Sequence, residues 1–161
     1  MRDPSELGLP AQDKSDPMPP PRPADIKTLE GKVGAPLPPD YLDLLSISNG
    51  GCPRLCRFVP DKPGAEPWEL GYFLRLCPDR GDPEGIWQEL EQNQADLKPR
   101  QLPIACDSLG NIVVLDFNTS PPAVKRLLRE DDLCEEFVAK DFGRFVDVLE
   151  ESPDQTSEED T

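Results

Sequence analysis

Histidine is absent from this chain of 161 residues. Imidazole is the commonest general base near neutral pH, the usual nitrogen ligand for metals and the partner of Ser or Cys nucleophiles, so three chemistries lose their first-choice residue. A catalyst built from what remains would have to run on carboxylates, Lys, Tyr or Cys. Also missing is a Gly-x-x-x-x-Gly-Lys-Ser/Thr phosphate loop, because Gly50-Gly51 leads straight into Cys52-Pro53. No apolar run approaches the roughly 20 residues of a membrane-spanning helix. Met1-Arg2-Asp3-Pro4 opens a polar, proline-rich stretch without the apolar centre of a signal peptide. Basic residues are sparse and not interleaved with aromatics, which leaves nucleic-acid binding without support.

The residues that remain point away from catalysis and cofactors. Asp79, Asp82 and Glu84 cluster between a strand and a helix, and Asp107 and Asp116 flank a hairpin. A catalytic pair needs one carboxyl kept in apolar surroundings while the other stays ionised, and loop positions do not promise that split. Glu130-Asp131-Asp132 with Glu135 and Glu136 lacks the alternating Asp-x-Asp-x-Asp-Gly spacing of a calcium loop and reads as a solvated acidic face. Cys52-x3-Cys56 has a zinc-compatible spacing, but a structural site needs four ligands, and only the isolated Cys77, Cys106 and Cys134 remain to supply them. Five cysteines scattered through apolar segments suit reduced, mostly buried thiols in a cytosol better than a disulfide framework. The reading is therefore no enzyme, no cofactor and no metal.

Acid dominates what is there. The chain holds 32 acidic against 17 basic side chains, a net charge of −15, with 23 of the acids and 14 of the bases in residues 24–150. Such a field repels nucleic acid and anionic membrane and speeds encounter with a basic protein, although plain solubility is served as well. Residues 1–23 carry Pro4, Pro10, Pro17, Pro19, Pro20, Pro21 and Pro23 with almost no large apolar residue and are expected to be a disordered or polyproline-like leader. Residues 152–161 form an acidic, solvated tail. The domain between them, 24–151, is long enough for a real core.

Within it, Ile26, Leu29 and Val33 form one helical stripe, and Tyr41, Leu44 and Leu45 a second beyond Gly34 and Leu37-Pro38-Pro39. Pro39 fits a first helical turn, and Asn49-Gly50-Gly51 is expected to stop the second helix through left-handed residues. Leu55 to Val59 and Gly71 to Leu76 read as strands around a loop broken by Pro60, Pro63, Gly64 and Pro67. Asp82-Pro83-Glu84 reads as a helix start with Asp82 as N-cap, leading to Ile86, Leu90 and Leu97 and stopping at Pro99. Leu102 to Asp107 and Asn111 to Phe117 flank a tight turn in which Gly110 and Asn111 would take positive φ. Ile112-Val113-Val114-Leu115 is apolar on both faces, as in a central strand. A strand from Ala123 to Leu128 and a helix from about Asp141 to Glu151 complete the pattern. The sum is an α+β domain: a small, mainly antiparallel sheet with helices packed largely on one face.

The apolar-Glu helix, the Leu-Pro-x-Asp-Tyr lead-in to a second helix and the Asn49-Gly50-Gly51 exit resemble the opening of the SUKH superfamily. The resemblance continues in order through Tyr72-Phe73-Leu74-Arg75-Leu76, the helix after Ile86, Leu102-Pro103-Ile104-Ala105, the hairpin and Phe142-Gly143-Arg144-Phe145. That superfamily groups yeast cell-wall-synthesis regulators with many bacterial immunity proteins. The resemblance implies the same α+β layout and a cytoplasmic, monomeric protein binder. One form would be an immunity protein that neutralises a basic, nuclease-type toxin, and another a regulatory adaptor of the cell-wall-synthesis type. Membership carries no binding residue over to this chain, and Gly50, Gly110 and Phe145 match the pattern as structural positions.

Acidic loops are the partner-binding candidates: Asp79, Asp82 and Glu84 in one, and Glu130, Asp131, Asp132, Glu135 and Glu136 in another. Trp68, between Glu66 and Glu69, either anchors a partner or folds back over the sheet edge. Lys125, Arg126 and Arg129 are expected to pair with the acidic run beside them.

Overall fold

Pro23 stands at the first turn of α1 (Pro23–Val33), where its missing N–H leaves no helical bond unmade. The Asp25 carboxylate accepts from the backbone N–H of Arg22 at 3.1 Å, and Gly34 ends the helix in the left-handed region with φ 79°. Leu29 and Val33 are the buried stripe. The Glu30 carboxylate accepts from the N–H of Leu37 at 2.8 Å and so ties α1 to the proline corner. Helix α2 (Pro39–Ile47) then buries Tyr41, Leu44 and Leu45. The computed structural model describes residues 3–8, 19–60, 62–77 and 81–152.

Seven strands follow: β1 (Leu55–Phe58), β2 (Trp68–Phe73), β3 (Gln101–Asp107), β4 (Ile112–Asp116), β5 (Ala123–Leu128), β6 (Cys134–Ala139) and β7 (Glu150–Glu151). They form one sheet in the order β6-β5-β4-β3-β2-β1-β7, with every pairing antiparallel. Helix α3 (Ile86–Gln92) lies between β2 and β3 in sequence and packs on β3, and α4 (Phe142–Val148) packs on α2, β5 and β6. The main core gathers Leu29, Tyr41, Leu44, Phe73, Val113, Leu115, Phe142 and Phe145. Ile112, Val114 and Leu127 make a second, smaller cluster covered by Leu97 and Leu133. Every residue of β4 is buried, as its apolar run requires of a strand covered on both faces.

The Asn49-Gly50-Gly51 exit works differently from a simple cap. Ser48 is the C-cap and is extended, and the positive φ values come later, 93° at Gly50 and 115° at Gly51. A Cβ on Gly50 would lie 2.3 Å from Arg75 Cγ, so close approach as well as φ demands glycine. Buried Asn49 donates from Nδ2 to the carbonyls of Leu76 and Pro19, both at 2.9 Å, and accepts from Leu76 N–H at 2.8 Å.

Several boundaries move. The second strand begins at Trp68 rather than Gly71 and ends at Phe73, where the chain turns to bridge Gly51 and then pairs Arg75 with Gly85. The third helix begins at Ile86, with Gly85 as N-cap, because Asp82 is spent earlier: its carboxylate holds Arg75 and the N–H of Glu84. In the β3–β4 turn only Gly110 has positive φ, at 89°; Asn111 is held instead by the Asp107 carboxylate, which accepts from its N–H at 2.8 Å and from that of Leu109 at 2.9 Å. Strands β6 and β7 were not anticipated, and the last helix stops at Val148 so that Glu150 and Glu151 can pair with β1. Within the proline-rich leader, Pro4–Leu7 forms a 3-10 turn whose Leu7 is fully buried and whose carbonyl accepts from Arg54 N–H at 2.7 Å.

Candidate functional site

The sequence candidates separate into three groups. Trp68 opens β2 and is buried, so it offers no surface to a partner. Its ring lies 5.1 Å from that of Phe58, stacks on Phe145 at 6.4 Å and receives the Arg126 guanidinium 4.5 Å above its centroid. The flanking glutamates suggested an exposed loop, but strand alternation turns the indole inward and Arg126 covers it.

Asp79 lies outside the described residues. Asp82 is buried beneath Arg75, which it meets at 2.6 and 2.9 Å. Burial pushes its carboxyl up, but hydrogen bonds from Arg75, the N–H of Glu84 and Cys77 outweigh that and hold it below the ordinary carboxylate range. The role is structural: Asp82 ties the turn before α3 to the segment after β2. Glu84 is exposed, and its carbonyl accepts from Arg75 N–H at 2.9 Å.

The third group lies around the β5–β6 hairpin. Arg129–Asp131 forms a 3-10 turn, and Asp132 and Leu133 take left-handed φ of 52° and 55° to complete the reversal. Glu130, Asp131 and Asp132 are exposed, and their carboxylates have no hydrogen-bond or ion-pair partner among the described residues. Glu135 and Glu136 differ. Glu135 meets Lys98 at 2.8 Å, Lys125 at 3.0 Å and the Gln101 amide at 2.9 Å. The Lys98 contact, joined by Lys125 and Gln101, brings its carboxyl down to about 2 against the opposing effect of burial. Glu136 pairs with Arg126 at 3.0 Å, and Arg126 also reaches the buried Asp107 at 3.1 Å. Lys125 and Arg126 thus pair with the acidic run as expected, whereas Arg129 turns back to Glu89 at 3.2 Å and to the Gly110 carbonyl at 2.6 Å.

Phe137, which the sequence reading passed over, stands on β6 opposite Lys125 and is 64 % exposed. Its one sequence signal is the alternation Glu135, Phe137 against Glu136, Val138 in a strand whose second face is open. The hairpin therefore presents three unpaired carboxylates at its turn and an exposed ring on its outer strand.

Elsewhere, among the described residues, no group of three Cys, Asp or Glu side chains is placed to hold a metal. Cys56, Cys77 and Cys106 are buried and free, and Cys52 and Cys134 are exposed and free. Burial pushes the Cys106 thiol up to about 11, which leaves it inert as a nucleophile. An open depression of about 340 Å³ lies between Val33, Leu90, Leu97 and Gln101. No described helix is long and apolar enough to cross a membrane.

Four helices and 3-10 turns packed against one seven-stranded antiparallel sheet define an α+β domain. Residues 20–148 match the model of the SMI1 / KNR4 family (SUKH-1), and the chain belongs to that family. Its domains are protein-interaction domains, generally without catalysis, and they include immunity proteins and regulators of the SMI1 / KNR4 type. Among curated proteins and among solved structures, no match to the chain is found.

Proposed function

We propose that this chain is a non-catalytic immunity protein of the cytoplasm, acting as a monomer that binds and neutralises a basic, nuclease-type toxin. The observation that carries the reading is the unpaired acidic turn Glu130-Asp131-Asp132 beside exposed Phe137, on a family domain in a chain of net charge −15. A nuclease surface is cationic because it holds phosphate; an acidic inhibitor complements that surface and is steered to it. The same field disfavours nucleic acid and anionic membrane as direct partners. Exposed Glu84 adds a further carboxylate in this reading, while Asp82, spent on Arg75, does not.

Sequencing the DNA that flanks the gene tests this. A neighbouring frame with secretion modules and a variable basic C-terminal domain supplies the toxin, and co-expression of this chain should restore growth of cells producing it. Failure to protect against that domain contradicts the reading.

A second reading, a regulatory adaptor, is favoured by one feature. Arg22 has φ −76° and ψ 154°, polyproline-II geometry, at the end of the exposed Pro19-Pro20 stretch. Such a segment suits an aromatic groove on a partner. Replacing Pro20 and Pro21 by Ser, which leaves Leu7 in the core, should abolish an adaptor's interaction and leave toxin neutralisation intact.

A further inference from the structure

Among the described residues, strand β6 is the outermost strand of the sheet and pairs only with β5. The opposite edge, β7, is two residues long and offers little to pair with, whereas β6 has six. An open strand edge carries a row of unsatisfied N–H and C=O groups and templates further pairing unless it is blunted by Lys, Pro, a bulge or a cover. Over Cys134–Ala139 there is no Pro and no Lys, and the one irregularity is a bulge at Val138, opposite the Val124/Lys125 step, which leaves Cys134–Phe137 beside the hairpin turn as the regular part of the edge. Phe137 stands near the middle of this edge strand with 64 % of its surface in water.

Charge decides what can add there. Glu135 and Glu136 are already compensated by Lys98, Lys125 and Arg126, so the uncompensated charge sits at one end, on Glu130, Asp131 and Asp132. A second copy of the chain would bring another net −15 to the same edge and is disfavoured. A partner strand with cations at one end and an apolar residue beside Phe137 satisfies the turn, the ring and the backbone together.

We propose that β6 is a docking edge that takes an extended, basic segment of a protein partner as an eighth strand. The cations of that segment lie against Glu130, Asp131 and Asp132, and an apolar side chain packs on Phe137. This rests on the reading of the chain as a binder of basic proteins and specifies how the partner is held.

The test uses the full chain labelled with 15N and a synthetic nine-residue peptide with three lysines followed by alternating Val and Thr. The expected result is amide shifts over residues 134–139 and in β5, weakened by salt, with no shifts from a counterpart carrying Glu for Lys. Phe137→Ser should weaken binding by about fivefold or more, as loss of an aromatic anchor does, while Leu109→Ser, at an exposed site on another hairpin, should not. The triple change Glu130→Gln, Asp131→Asn, Asp132→Asn should remove the salt dependence. Shifts confined to other strands, equal binding of the acidic peptide, an indifferent Phe137→Ser variant or self-association through β6 would each overturn the proposal. Those outcomes leave the growth-rescue test untouched, and failed rescue with an intact β6 shift pattern would remove the toxin reading alone.

Discussion

Asn49 pairs with Leu76 as a strand neighbour would: its amide donates to the Leu76 carbonyl at 2.9 Å and accepts from the Leu76 N–H at 2.8 Å. Both residues are buried, Leu76 completely. One side chain therefore joins the exit of α2 to the segment between β2 and α3. Asn49→Ala leaves a buried N–H and C=O unpaired and should cost about 2–3 kcal/mol. Asn49→Asp keeps the acceptor but loses the donor and should be no better. Urea unfolding monitored by tryptophan fluorescence measures both; an Asn49→Ala midpoint equal to wild type would show that Leu76 finds other partners.

Leu7 supplies the main core with a fully buried side chain from the proline-rich leader. Leu7→Ala should destabilise the domain by about 2–3 kcal/mol, the usual cost of truncating a buried leucine. A truncation beginning after residue 8 should behave alike in thermal unfolding. Wild-type melting for both would mean that the leader contributes nothing to the fold.

Arg126 serves three neighbours: the Asp107 carboxylate at 3.1 Å, Glu136 at 3.0 Å and the Trp68 ring at 4.5 Å. Asp107 is buried, so removing its cation leaves a poorly compensated charge in the interior. Arg126→Ala should cost about 3 kcal/mol and red-shift Trp68 emission as water reaches the indole. Lysine at this position should recover only part of the loss, because an ammonium cannot span the same three partners. Stability and emission both unchanged in Arg126→Ala would contradict this arrangement.

Glu135 gives the protein an acid-sensitive element. Its carboxyl lies at about 2 in the folded chain, below its ordinary value of 4.5, because Lys98, Lys125 and Gln101 stabilise the anion. A depressed folded pKa adds stability that is fully present above the unfolded value and is lost as pH falls from 4.5 through about 2. Glu135→Gln should therefore lower stability at neutral pH and flatten the loss on acidification across that window. Identical acid limbs for the variant and wild type in pH-dependent unfolding would refute it.

Much of the scaffold was legible because its signals are local. Gly34 and Pro39 punctuate the first two helices, and Gly110 between two apolar runs marks the central hairpin. The β6 strand was not legible, because Cys134-Glu135-Glu136-Phe137 places adjacent acids on opposite faces of the strand. Each acid is neutralised by a β5 cation, and that pairing becomes visible only once the register joins Arg126 to Glu136. Asn49 misled for a related reason: its partner lies 27 residues away, so it read as a helix stop. Of the two readings of Trp68, the structure takes the inward one, because strand alternation turns the indole into the core. Of the candidate site, Glu130, Asp131 and Asp132 were visible in composition, while Phe137 needed the sheet order to mark its strand as an edge.

The acidic hairpin surface is proposed to bind a basic protein. The decisive measurement is the affinity of this chain, at low and high salt, for a basic toxin domain identified by sequencing the DNA that flanks its gene. Wild type should be compared with Glu130→Gln, Asp131→Asn, Asp132→Asn combined. Wild type should bind tightly and lose affinity as salt rises, and the triple variant should bind more weakly with a flatter salt response. Equal affinity and equal salt dependence for the two proteins would contradict it.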